Sequence, residues 1–169
     1  MKKNCPGKNI VLIGVPSAGK STVGVILAKT LRMNFIDTDI VIQENTGRLL
    51  QEIITMDGID AFLKIEESTI LSLNCTNSII ATGGSVVFRD KSMDYLKTDG
   101  LVIYLNIVFE EMVQRLNNIT TRGIVLTEGQ SLLDMYNQRI PLYEKYADIS
   151  IDCSKEEVED IVGKIIDEV

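Results

Sequence analysis

The stretch Gly14-Val15-Pro16-Ser17-Ala18-Gly19-Lys20-Ser21-Thr22 follows an apolar run, Asn9-Ile10-Val11-Leu12-Ile13, and leads into a segment of helical periodicity over 22–32. A strand, a glycine-bearing loop and a helix, in that order, are the setting in which G-x-x-x-x-G-K-[ST] cradles phosphate. Gly14 and Gly19 let the backbone wrap a polyphosphate with its N–H groups inward, and the helix N-terminus adds partial positive charge. Lys20 reaches the outer phosphates, and the Ser21 hydroxyl is placed to hold Mg²⁺. The expected nucleotide-binding residues are therefore Gly14, Ser17, Ala18, Gly19, Lys20, Ser21 and Thr22, and the expected ligand is a nucleoside triphosphate such as ATP.

The remaining composition narrows the partners. At 169 residues the sequence is long enough for a real core and fits one domain over 1–169. Its formal charge of −7 and pI near 4.7 argue against a nucleic-acid partner, so affinity for a polyphosphate must come from a local cationic site. No apolar run has the length of a membrane span, and the basic start Met1-Lys2-Lys3 precedes an apolar stretch too short for a signal segment. Cys5, Cys75 and Cys153 are scattered and odd in number, which suggests reduced thiols rather than a disulfide framework or a zinc site. These features fit a cytoplasmic protein. With no histidine anywhere, a Ser-His-Asp triad and a histidine general base are both excluded.

Apolar strand-like runs recur at 10–13, 34–36, 78–81, 101–105 and 149–151, with helical periodicity at 22–32, 60–73, 109–116, 132–146 and 155–166. Alternating strands and helices, the strands apolar throughout, predict a five-stranded parallel sheet covered on both faces, a three-layer α/β/α fold. Two insertions interrupt the alternation. Residues 39–73 hold more helix than one crossover needs and are expected to form a flap over the strand ends. Residues 117–127 are polar, carry Arg122 at their centre and are expected to form a closing lid, the alternative being a surface loop.

Asp37-Thr38-Asp39 ends the second predicted strand. In open parallel sheets ligands sit at the carboxyl ends of the strands, so both carboxylates face the crevice of the phosphate loop. One would orient a Mg²⁺-bound water and the other an acceptor hydroxyl; alternatively one caps a helix beginning near Ile40, with Asp39 well placed to do so. The third strand ends in Ala81-Thr82-Gly83-Gly84-Ser85, where paired glycines allow close approach of a ligand or a turn into the next helix. No acidic residue ends that strand, which leaves Asp37 as the metal-holding carboxylate. Pro141 lies inside the 132–146 periodicity and is expected to kink or restart the helix, aiming Arg139 into a cleft. Arg115 and Arg122 complete the cations available to phosphates or a base.

Taken together these residues resemble the shikimate kinases, which belong to the nucleoside-monophosphate-kinase-like phosphate-loop proteins. The likeness spans nearly the whole chain: the phosphate loop, D-T-D, T-G-R at 46–48, F-x-x-I-E-E at 62–67, A-T-G-G at 81–84, T-R at 121–122 and R-x-P-L-Y-E at 139–144. The resemblance implies ATP- and Mg²⁺-dependent phosphorylation of shikimate to shikimate 3-phosphate, on the route to aromatic amino acids, by a monomer without nucleic-acid or membrane partners. It implies Lys20, Asp39 and Arg122 as catalytic residues, with Ser21 and Asp37 serving the metal. Arg122 would close over the γ-phosphate and Arg115 would stack on adenine. Asp39, Gly83, Gly84 and Arg139 would bind the acceptor, Arg139 through its carboxylate.

The departures fall on or near the acceptor side, while the donor side matches the family. Where the family reads G-E-x-x-F-R, this chain has Gly58-Ile59-Asp60-Ala61-Phe62-Leu63, so Leu63 stands at the position of a second carboxylate-binding arginine. Ser85 replaces a third glycine, and Gly123 follows Arg122 where the family has proline. Losing one arginine–carboxylate contact costs about 1.5–3 kcal/mol, roughly ten- to over a hundred-fold in affinity. Three alternatives follow: a kinase for another small hydroxy acid such as gluconate, a nucleotide-binding module with a decayed acceptor site, and a nucleoside monophosphate kinase. The last wants several flap arginines, whereas residues 39–73 offer only Arg48 and Lys64.

Overall fold

The computed structural model describes residues 8–117 and 123–169, with the backbone alone at Asn117. The basic start, Cys5, Arg122 and much of the expected lid lie outside the described residues.

Five parallel strands form one sheet in the order β2-β3-β1-β4-β5. These are β1 (Asn9–Ile13), β2 (Asn34–Asp37), β3 (Ser78–Ala81), β4 (Gly100–Asn106) and β5 (Ile149–Asp152). β1 and β3 are buried along their whole length, as expected of strands covered on both faces. The edge strands depart from that expectation: Asn34, Ser150 and Asp152 are exposed, because an edge strand has neighbours on one side only. Helices α1 (Lys20–Leu31), α5 (Asp90–Thr98), α6 (Phe109–Asn117), α7 (Leu132–Tyr146) and α8 (Val158–Glu168) complete the layers. Their apolar faces join the strands in one core that includes Val11, Leu12, Leu27, Ile103, Met112, Met135 and Ile165.

The sequence reading misses α5, whose residues Asp90-Lys91-Ser92-Met93-Asp94-Tyr95-Leu96-Lys97-Thr98 bury only Ser92, Met93 and Leu96, too few to establish a period. The last helix begins at Val158 rather than at 155, since Lys155 adopts a left-handed φ of 60°. α7 runs unbroken through Pro141 instead of restarting there.

The expected flap holds three helices, α2 (Thr38–Thr46), α3 (Leu50–Asp57) and α4 (Ile59–Ser72). They carry a small core of their own, Ile42, Leu50, Ile53 and Phe62, into which Val125 from the end of the expected lid inserts. Ile59 and Leu63, one helical turn apart on α4, both pack against this cluster. The two departures therefore work together, replacing an acid–base pair by an apolar pair that extends the flap core. Gly123 also has a packing reason: a Cβ there would stand 2.7 Å from Leu50 Cβ, so only glycine lets the chain lie this close to α3.

Candidate active site

The phosphate loop runs from the buried end of β1 to the first turn of α1. Gly14, at a φ of 151°, presses against the sheet so closely that a Cβ would lie 2.6 Å from the Leu105 carbonyl oxygen. Gly19 adopts a φ of 92° as the residue before α1, a conformation that glycine takes at little cost. Ser17 and Ala18 are buried within the loop and Thr22 is exposed on the first turn of α1. The buried Lys20 ammonium donates to the carbonyls of Gly14 and Val15, each at 2.9 Å, and so spans the loop from within. From α6, Arg115 donates to the Ser17 carbonyl at 3.3 Å and pairs with Glu111, while Ser17 Oγ donates to the Met112 carbonyl. Arg115 is thereby fixed at the outer edge of the loop.

A hydrogen-bonded chain leads from this loop to the flap. Ser21 Oγ donates to Asp37 Oδ2 at 2.6 Å, and Asp37 Oδ1 accepts from the Asp39 backbone N–H at 3.0 Å. The capping carboxylate of α2 is therefore Asp37 and not Asp39, because the helix begins at Thr38. The cap leaves the Asp39 side chain to line the cleft. Ser21 and Asp37 fit a Mg²⁺ ion that retains most of its water: one hydroxyl and one carboxylate, both oxygen donors, beside the loop.

The cleft has a volume of about 250 Å³ and is bounded by Lys20, Ser21, Asp37 and Asp39 on one side and by Leu50, Gly84 and Gly123 on the other. The Gly83-Gly84 turn is its floor. Gly83 N–H donates to Thr38 Oγ1 at 3.2 Å, and the Gly84 carbonyl accepts from Tyr143 Oη at 2.6 Å. The R-x-P-L-Y spacing puts Arg139 and Tyr143 on one face of α7, so one residue holds the floor while the other supplies the charge. Burial pushes the Tyr143 phenol up to about 12 and keeps it a donor.

Arg139 is 1% exposed, a rare state for a guanidinium. Its Nη2 donates to the Val125 carbonyl at 2.6 Å, and its guanidinium carbon stands 5.2 Å from the centre of the Phe88 ring. Its Nε is buried without a hydrogen-bond partner, and Nη1 faces Gly84, 3.0 Å from where a Cβ would stand. A buried cation with unused donor capacity beside a cleft is suited to an anion.

The two other flap cations are committed elsewhere. Arg48 forms a two-pronged pair with Asp57 at 2.6 and 3.2 Å, and Lys64 pairs at the surface with Asp60 at 2.8 Å. Lys64 thus does not stand in for the arginine missing at Leu63. Phe88 and the Val125 carbonyl carry no sequence signal, since a backbone acceptor has no residue type and a phenylalanine looks like core. Glu66 did carry one: it falls on the buried face of α4 with Phe62, Thr69 and Ile70. A carboxylate at such a position is worth querying.

A glycine-bearing loop braced by a buried lysine, a hydroxyl–carboxylate pair beside it and an acid lining the same cleft are the arrangement of a phosphate-loop phosphotransferase. The shikimate kinase family model matches residues 16–169, and the chain belongs to that family. The shikimate kinase of Thermodesulfovibrio yellowstonii is 40% identical over 164 residues, covering 95% of this chain and 94% of that protein. The solved shikimate kinase of Acinetobacter baumannii, in complex with shikimate, superposes with a TM-score of 0.87 at 31% identity, over 95% of this chain and 92% of that one. A gluconokinase from Sinorhizobium meliloti, at 20% identity and a TM-score of 0.55 over 94% of this chain and 89% of that one, shares the fold alone.

Proposed function

We propose that this chain transfers the γ-phosphoryl group of MgATP directly to a hydroxyl of shikimate, giving shikimate 3-phosphate and ADP. The observation that carries this reading is the hydrogen-bonded path from Ser21 through Asp37 to Asp39, which lines one cleft with Lys20 and with Gly84, the glycine that Arg139 backs. The nucleotide phosphates lie in the loop, where Lys20 exchanges its loop carbonyls for phosphate oxygens and Arg115 packs on the adenine. Ser21 and Asp37 would hold the Mg²⁺, which would supply positive charge to neutralise the phosphates.

Asp39 orients the attacking hydroxyl and accepts its proton as the bond to phosphorus forms. The acceptor ring lies over Gly83 and Gly84 with its carboxylate at Arg139. Arg122, outside the described residues, is assigned to the γ-phosphate. No covalent enzyme intermediate is required: position and charge lower the barrier. The chain works as one kinase domain with a flap over 39–73 and a lid over 117–127, as a cytoplasmic monomer using small-molecule substrates only. Among the described residues no helix is long and apolar enough to cross a membrane.

The test is ADP formation from MgATP with and without shikimate, in parallel with gluconate, quinate and nucleoside monophosphates. Strong stimulation by shikimate is expected. Stimulation by a different acid instead would move the assignment to that acceptor, and basal hydrolysis throughout would leave a binding module.

A further inference from the structure

The flap meets the acceptor floor at a buried polar contact. Ser85 Oγ donates to the Glu66 carboxyl group, 3.0 Å from Oε1 and 2.9 Å from Oε2, and the two residues are 3% and 1% exposed. Gly83 lies against the same group: a Cβ there would stand 2.5 Å from Glu66 Oε1 and 2.9 Å from Asp39 Oδ1. Two carboxyl groups, from α4 and α2, thus converge on one face of the floor. Among the described residues no Lys or Arg lies within ion-pair distance of Glu66. The α4 side chains nearest in sequence offer none: Leu63 is in the flap core and Lys64 is held by Asp60.

We propose that Ser85 and Glu66 form a positioning pair for an anionic acceptor, the hydroxyl–carboxyl contact fixing the Gly83-Gly84 floor beside Asp39 and taking the place of a cation on α4. The inference rests on the shikimate reading above. The charge balance explains why the pair suits a site with one arginine. A carboxylate at Glu66 would set a second negative charge beside Asp39 and oppose the acceptor's own carboxylate. A protonated Glu66 keeps the contact and removes that charge. Burial, followed by the charge of Asp39, pushes Glu66 up to about 8, while Ser85, Arg139 and Lys20 pull it down. The other titratable neighbour is Tyr143 on α7, which remains neutral well above that pH.

Two variants and two readouts test the pair. In steady-state kinetics from pH 6 to 9.5, the wild-type KM for shikimate is expected to rise above about pH 8 as Glu66 loses its proton, while the KM for MgATP does not follow. Glu66→Gln keeps the shape and a hydrogen-bonding partner for Ser85 but cannot ionise, so its shikimate KM should stay flat across that range. Ser85→Ala should raise the shikimate KM about ten-fold with kcat and the MgATP KM within about two-fold. It should also move the alkaline rise to higher pH, since the Ser85 hydrogen bond favours the carboxylate. An alkaline rise in Glu66→Gln equal to that of wild type, or equal losses toward both substrates in Ser85→Ala, would overturn the proposal.

Thermal melts read the same pair without turnover. The folded protein retains a proton that the unfolded chain releases near pH 4.5, so wild-type stability should fall as pH rises from about 4.5 to 8 and then level off. That component should be missing in Glu66→Gln; identical pH dependence in the two proteins would refute the pair. Failure of the wild type to use shikimate at any pH would strike the function assignment, and the melts would still decide the state of Glu66.

Discussion

The two halves of the cleft are built on different principles. The nucleotide half is made of backbone: Gly14 wedged against β4, Gly19 at positive φ, and Lys20 bonded to two loop carbonyls. The half proposed for the acceptor is made of side chains from three helices, with Asp39 on α2, Glu66 on α4, and Arg139 and Tyr143 on α7 around a two-glycine floor. A backbone site admits little variation, since its geometry is set by φ, ψ and close packing. A side-chain site can be rebuilt by exchanges of residues that touch: Ile59 and Leu63 share the flap core, and Ser85 meets a Glu66 that keeps the family's residue. On the function proposed above, the departures on one side of the cleft mark a remodelled site rather than an eroded one.

The largest expected effect lies on the half built from backbone. Lys20→Ala removes both the loop brace and the cation for the phosphates, and kcat should fall on the order of 10³-fold or more. Rapid-quench measurement of phosphoryl transfer checks it, and turnover within ten-fold of wild type would break the contrast between the halves. Next comes Arg139→Ala, expected to raise the shikimate KM about a hundred-fold while the MgATP KM changes less than three-fold. Equal changes in both constants would show that Arg139 supports the fold and not the acceptor.

A reconstruction sharpens the comparison further. Ile59→Glu with Leu63→Arg restores a one-turn acid–base pair and supplies Glu66 with a cation. The double variant should lower the shikimate KM about ten-fold at the cost of a few degrees in Tm, because two apolar side chains leave the flap core. A lower Tm without any gain in KM would mean that Ser85 and Glu66 already do all that the arginine could. The smallest effect is expected from Lys64→Ala, whose partner Asp60 is exposed: both KM values should stay within two-fold of wild type. A larger change in the shikimate KM would place Lys64 in the clamp after all.

The same contrast governs how much could be read before the fold was seen. The phosphate loop was legible because a backbone cradle demands glycines and a lysine at fixed spacing, next to a strand that betrays itself by being wholly apolar. Asp37 and Asp39 were legible as a pair, but their division of labour was not. Which of them caps α2 depends on the first helical residue, and a boundary of one residue is below what periodicity resolves. α5 was missed because its polar sequence buries one turn only. On the acceptor side Arg139 stood out beside a proline, whereas its stacking partner Phe88 and its backbone acceptor at Val125 became visible only once α7 and the end of the expected lid came together. Leu63 read as a loss in isolation; its spacing from Ile59 on a helix facing the flap core makes it half of an exchange.

Gly83 and Gly84 have a consequence beyond leaving room for a ring. A Cβ on the first would stand 2.5 Å from the Glu66 carboxyl oxygen and one on the second 3.0 Å from Arg139 Nη1, so two residues of bare backbone lie against two buried groups of opposite type. Without that partition the two side chains would satisfy one another, and the guanidinium would have nothing left to offer a visiting anion. The floor acts as a spacer, which lets the Glu66 carboxyl group feel the guanidinium while leaving the buried donor of Arg139 to a visiting anion.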